Sequence, residues 1–232
     1  MLQKSINYLA LDLIDIKDNL NDLKQIYNFL EDLAFNLSFE TIHKPVLVPY
    51  YYGKVEDDCG ISCYLMIEGG YITFHIFEKR NIAYFDIVRK GEIDSEKIIE
   101  LVTTFVESQH YNKYLSTKES CCEFENVFGP HYFCEGKIIG INNIDALLEL
   151  QENLIDGIEM HPIISPVVVK DGTDIRVFIL IAESHISITM NNNFIRIDIF
   201  SCKMFDIQKL KELLSNKIDI KSEKIFTRLY KT

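Results

Sequence analysis

The chain writes one pattern twice, and any fold it adopts must accommodate two copies of that pattern. Gly69-Gly70-Tyr71-Ile72-Thr73-Phe74-His75 and Glu183-Ser184-His185-Ile186-Ser187-Ile188-Thr189 both alternate apolar and polar residues, the period of a half-buried strand. A turn and a second strand follow each, Ile82 to Val88 in the first half and Phe194 to Phe200 in the second. Asp86 and Asp198 stand at matching places in those strands, and each strand leads to a helix opening with Asp, at Asp94-Ser95-Glu96-Lys97 and Asp206-Ile207-Gln208-Lys209. Asp suits that place because its carboxylate accepts from the free amides of the first helical turn. From Asp86 and Asp198 through Glu100 and Glu212 the offset between copies is constant. Upstream it changes by two residues, which predicts a shorter turn at Asn191-Asn192-Asn193.

Ile61 to Ile67 and Ile175 to Ile181 read as a further strand in each copy. Asn19 to Leu37 and Asn143 to Ile155 read as amphipathic helices. The stretch from Ser108 to Phe128 is polar and cysteine-bearing, as a connector would be. The expected division is a first repeat over 1–110, a linker over 111–128 and a second repeat over 129–232. In such a repeat one apolar sheet face needs helices and the other needs a partner. The expected fold is therefore α+β: two tandem copies of one domain packed as a layered α/β/β/α sandwich. A repeat this long is a duplicated domain rather than a solenoid unit.

Composition narrows the function. With 47% hydrophobic and 25% charged residues the chain is globular in type. A net charge of −11 argues against nucleic acid as a partner, since such binders present a basic face. No apolar run reaches membrane length and nothing resembles a signal peptide, so the expected setting is cytoplasmic, with no membrane partner. Cys59, Cys63, Cys121, Cys122, Cys134 and Cys202 would be reduced thiols there. No CxxC spacing occurs, so neither a metal site nor a thioredoxin-like motif is expected.

At Ile181-Ala182-Glu183-Ser184-His185-Ile186-Ser187-Ile188 the chain resembles the self-processing site of the S-adenosylmethionine decarboxylases. Ile197-Asp198-Ile199-Phe200-Ser201-Cys202 resembles the strand that carries their catalytic cysteine, and Tyr71-Ile72-Thr73-Phe74-His75 resembles the same domain in the first half. The resemblance implies a carboxy-lyase made by autocatalytic cleavage of a precursor. Ser184 attacks the carbonyl of Glu183 to give an ester, elimination leaves dehydroalanine, and hydrolysis leaves a pyruvoyl group derived from Ser184. That cofactor forms a Schiff base with the substrate amine and accepts the electrons released with carbon dioxide. The implied substrate is a small molecule, S-adenosylmethionine, and the implied pathway is polyamine (spermidine) synthesis.

The two copies carry complementary parts of that machinery. In the family a histidine assists processing and a cysteine returns a proton to the product. The second half has Ser184 and Cys202 but Thr189 at the histidine's place. The first half has His75, with Ser62 thirteen residues before it as the assisting hydroxyl, but Gly70 and Lys90 at the places of the serine and cysteine. The resemblance thus implies one composite site from Ser184, Cys202, His75 and Ser62, and one dead counterpart holding Gly70, Lys90 and Thr189. The site would lie between domain copies, in a monomeric pseudo-dimer or a homodimer. Singly, each residue also has an ordinary reading: His75 as a buried strand histidine, Cys202 as a small apolar residue, Ser184 as a strand serine.

The substrate-binding positions are less regular. His131-Tyr132-Phe133-Cys134-Glu135-Gly136-Lys137 resembles the family's first strand, where a phenylalanine and a glutamate face the substrate. Phe133 and Glu135 are the candidates, with a core aromatic and a solvated carboxylate as their alternatives. The family's adenine-stacking aromatic falls here on Glu56, and its ribose-binding carboxylate falls on Lys79, one residue after Glu78. Tyr50, Tyr51 or Tyr52 can supply a stacking face, and Glu78 a carboxylate. Lys203 replaces the glycine that follows the cysteine. These departures leave two further readings open: decarboxylation of arginine or ornithine, with Glu56, Asp57 and Asp58 pairing with a cationic side chain, and an unprocessed non-catalytic paralogue that acts as a binding or regulatory protein.

Overall fold

The computed structural model describes residues 6–17, 20–51, 55–108, 110–115, 127–182 and 184–229. They form two compact units, the second beginning at Val127. The first contains β1 (Ile6–Ile14), α1 (Leu23–Asn36), β2 (Val46–Tyr50), β3 (Gly60–Ile67), β4 (Gly70–Phe77), β5 (Ile82–Lys90), α2 (Ser95–Val106) and β6 (His110–Leu115). The second contains β7 (Val127–Ile138), α3 (Ile144–Gly157), β8 (Val167–Asp171), β9 (Asp174–Ile181), β10 (Ser184–Asn191), β11 (Phe194–Phe200), α4 (Ile207–Ser215) and β12 (Ile218–Leu229). Each unit has one antiparallel six-stranded sheet. The order is β2-β3-β4-β5-β1-β6 in the first and β8-β9-β10-β11-β7-β12 in the second, which is the same topology twice.

The helices begin where the sequence supplies a cap. Asp22 accepts from the amides of Lys24 and Gln25, Asp94 from Lys97, Asn143 from Ala146, and Asp206 from Gln208 and Lys209. The cap at Asp22 places the start of α1 at Leu23, later than the periodicity alone predicts; Asn19 lies outside the described residues. The turn difference between the copies is also present. Phe77 pairs with Ile82 across residues 78–81, whereas Asn191 pairs with Phe194 across only 192–193. Within the stretch read as a linker, 111–115 belong to β6, which pairs with β1, and 127–128 open β7; Cys121 and Cys122 lie outside the described residues.

Strand alternation sorts each sheet into two faces. One face of the first sheet, with Leu9, Leu11, Cys63, Leu65, Ile72, Phe74, Phe85 and Ile87, packs under Ile26, Leu30 and Leu33 of α1 and Ile98, Val102 and Val106 of α2. The second unit repeats this, with Ile179, Ile186, Ile188, Ile197 and Ile199 under Leu147, Leu150 and Leu154 of α3 and Leu210 and Leu214 of α4. Burying each such side chain contributes about 1.5–3 kcal/mol, so sheet packing rather than intrinsic propensity holds these short helices. The opposite face of each sheet is polar and aromatic, and it is buried too: Asp12, Ser62, Thr73, His75 and Asp86 in the first unit, His131, Arg176, His185, Ser187 and Asp198 in the second. Of the candidate residues, Ser62 and His75 stand on the polar face of the first sheet, whereas Cys202 packs at the edge of the helix-covered core of the second.

Candidate active site

In the second unit Ser184 is the first residue of β10. It pairs with Ile181 of β9, so only two residues make the hairpin turn that carries the Glu183–Ser184 bond; Glu183 itself lies outside the described residues. Ser184 is fully buried, and its Oγ accepts from the Cys202 amide at 2.7 Å. The antiparallel ladder of β10 with β11 makes this possible. It pairs His185 with Phe200, so that the chain leaving β11 returns to the start of β10. Cys202 is half-buried there, at the edge of the helix-covered core.

The first unit shows what replaces the serine. At Lys90, the counterpart of Cys202, the amide donates to the Gly69 carbonyl at 3.0 Å. A Cβ on Gly70, the counterpart of Ser184, would sit 1.8 Å from the Val88 carbonyl oxygen. The first unit therefore has no room for a serine at that place, and the corresponding amide closes a backbone turn instead of binding a hydroxyl.

Ser62 and His75 face each other across β3 and β4, both fully buried, with Oγ and Nδ1 at 2.9 Å. The same cross-strand position in the second unit is occupied by Arg176 and Thr189, whose Nε donates to Oγ1 at 3.1 Å. The duplicated pair is thus retained as a hydrogen bond but not as chemistry: a guanidinium can donate but cannot take a proton. Among the expected site residues, the structure brings Ser184 to Cys202 within the second unit and Ser62 to His75 within the first.

The candidate substrate residues are engaged with neighbours. Glu135 takes a forked donation from Arg196, its cross-strand partner, with Nε at 2.7 Å. Phe133 is buried beside the His131 ring, the centroids 5.3 Å apart. Glu78 accepts from Tyr51 Oη and, at 2.9 Å, from Asn21 Nδ2. Glu56 forms an ion pair with Lys79. The two positions at which the chain departs from the family's nucleoside contacts therefore bond to each other. Arg80 pairs with Asp58 and donates to the Asp57 carbonyl at 3.0 Å, fastening the same two short turns together.

One cluster was not recognised from sequence. On the polar face of the second sheet, His131 Nε2 lies 2.7 Å from Asp198 Oδ1, His185 Nε2 lies 3.7 Å from Asp198 Oδ2, and Arg228 NH1 lies 3.1 Å from His131 Nδ1. All four residues are at most 1% exposed. A guanidinium only donates, so His131 accepts at Nδ1 and gives its Nε2 hydrogen to Asp198. Burial raises the Asp198 carboxyl, but attraction to His131 and its hydrogen bond, aided by the His185 ring at 3.7 Å, overcome this and hold it below the ordinary carboxylate range. The two histidines and the aspartate are metal-ligand types within 4.8 Å of one another. The Arg228 charge beside them already balances Asp198, and its donation blocks the second-sphere pattern that a metal-bound histidine needs. The only sequence signal was the matched pair Asp86 and Asp198; the histidines lie on other strands and meet it only through register.

Comparison with known proteins shows what the chain is similar to. The family model described as S-adenosylmethionine decarboxylase matches residues 7–117 and 131–228. No curated protein matches the chain. Among solved structures, the adenosylmethionine decarboxylase of Aquifex aeolicus VF5 is 13% identical, with a TM-score of 0.42, over 53% of this chain and 98% of that one. An unknown protein from Galdieria sulphuraria is 7% identical, with a TM-score of 0.23, over 97% and 99% of the two chains. The family match spans both repeats, on the strands that carry Ser62, His75, Ser184 and the approach to Cys202, and the chain belongs to the S-adenosylmethionine decarboxylase family.

Proposed function

We propose that this chain cleaves itself between Glu183 and Ser184 and, with a pyruvoyl group made from Ser184, decarboxylates S-adenosylmethionine for polyamine synthesis in the cytoplasm. The observation that carries the reading is the hydrogen bond from the Cys202 amide to the buried Ser184 Oγ. It holds the nucleophile beside the residue assigned to protonate the product. A buried serine at a two-residue turn, with a neighbouring thiol, fits a group generated in place from the main chain. A pyruvoyl group supplies a carbonyl that accepts the electron pair of the departing carboxylate. The chain's own residues supply the rest: Ser184 Oγ attacks, the Ser62–His75 pair takes the Ser184 proton, and Cys202 donates one. Phe133, Glu135 and Glu78 are the proposed substrate contacts.

The Glu56–Lys79 pair favours a second reading, in which the substrate is a smaller cationic amino acid such as arginine or ornithine. The pair is exposed, and exposed pairs are held by about 0–1 kcal/mol, so it yields readily to a nucleoside and the first reading stands ahead.

Denaturing electrophoresis with intact-mass analysis tests the proposal. Purified protein should give two pieces, 1–183 and 184–232, the second lacking a free amino terminus. Ser184→Ala should stay whole, and His75→Ala should stall as an ester that hydroxylamine cleaves. A wild-type chain that stays whole through prolonged incubation makes this a non-catalytic family member. Carbon dioxide release from S-adenosylmethionine, arginine and ornithine, assayed side by side, separates the substrates.

A further inference from the structure

We propose that Ala182 stores backbone strain which self-cleavage at Ser184 releases; the inference rests on the cleavage reading above. Ala182 has φ of +47°, in the left-handed region where a Cβ crowds the following carbonyl. The other hairpin turns with a positive φ, among the described residues, place residues there that tolerate it: Gly69 between β3 and β4, Asn81 between β4 and β5, Gly172 between β8 and β9, and Asn192 between β10 and β11. Gly172 and Asn192 hold the first of the two turn positions, as Ala182 does, whereas Gly69, in the counterpart turn of the first unit, holds the second. The turn that carries the proposed scissile bond uses an alanine.

Ala182 is held in this conformation from both sides. Its amide donates to the His161 carbonyl at 3.1 Å, and Pro162 bridges to Ile181. On the other side Ser184 is fixed by its pairing with Ile181 and by the Cys202 amide. Strain persists only where the surroundings over-determine it, and it clusters at functional sites. In the acyl shift the Ser184 Oγ–C bond forms, the Glu183 C–Ser184 N bond breaks, and the hydroxyl proton moves to the departing nitrogen. The path from the Glu183 carbonyl carbon to the Ser184 Cα then runs through Oγ and Cβ instead of N alone. The turn is one atom longer and no longer requires a left-handed Ala182. The strain is therefore present in the amide and relieved on the way to the ester.

The test uses Ala182→Gly and Ala182→Asn, both compatible with φ near +50°, in the full chain. Two quantities are measured: the half-time of cleavage on denaturing gels, and the melting temperature in a Ser184→Ala background where no cut occurs. Both variants should cleave about five- to thirtyfold more slowly, the kinetic equivalent of the left-handed penalty. The uncleavable precursor should melt at the same or a higher temperature. Slower cleavage from simple damage would come with a lower melting temperature, and that result overturns the inference, as does unchanged or faster cleavage in either variant. If wild type cleaves and the variants keep pace, only the strain inference falls. If wild type does not cleave, the proposed function falls with it.

Discussion

Asp198 is a residue whose charge the structure has put to use in a buried site. It is buried on a polar face with His131 and His185 against its two oxygens and Arg228 one step behind. Removing the charge weakens the buried hydrogen bond that His131 gives this carboxylate, and losing a buried hydrogen bond to a charged group typically costs about 1–3 kcal/mol. Asp198→Asn should lower the unfolding free energy by that order in urea titrations near pH 7. Folding depresses this carboxyl, so the native state favours the ionised form more than the unfolded chain does. The resulting stability is complete above the unfolded carboxylate value of about 3.9 and is lost as pH falls through that value toward the folded one. The gap between wild type and variant should therefore begin to narrow below about pH 4 and keep narrowing as pH falls further; a gap constant from pH 7 to pH 3 would remove the charge from the explanation. The thiols divide in a similar way. Cys134, in the helix-covered core, is pushed up to about 12, by burial first, and should resist alkylation in the native protein.

At the scale of elements, the caps are where local sequence and fold agree most directly. Asp94→Ala and Asp206→Ala should each cost about 1 kcal/mol, read as a shift in the unfolding midpoint, because each removes an acceptor from first-turn amides. The same feature made the repeat legible: alternating strands, a two-residue difference in one turn and a capping Asp are all short-range patterns. β6 and β12 were not legible. They lie at sheet edges, where solvent takes one side, and segments such as His110-Tyr111-Asn112-Lys113-Tyr114-Leu115 lose the apolar alternation that marks a strand. Of the candidate site, Ser62 with His75 was legible through the family resemblance, which sets a hydroxyl thirteen residues before the histidine; the structure pairs the two across a hairpin. The His131–Asp198–His185 cluster was not, because three strands must come into register before its residues share a face, and no periodicity along the chain records that.

For the whole molecule, the strand order of the second sheet decides what happens after a cut at Ser184. The piece ending at 183 owns β7, β8 and β9, and the piece beginning at 184 owns β10, β11 and β12. In the sheet these alternate: β7 is sandwiched between β12 and β11, while β10 zips along β9 through eight paired residues. The severed halves are threaded through each other in this sheet like the fingers of clasped hands, and neither owns all of its strands. Gel filtration without denaturant should return both polypeptides in one peak at the mass of the intact chain or a multiple of it. Only conditions that melt the sheet should set them apart. Severing the backbone here would open one hairpin and leave the domain bound together by its ladders.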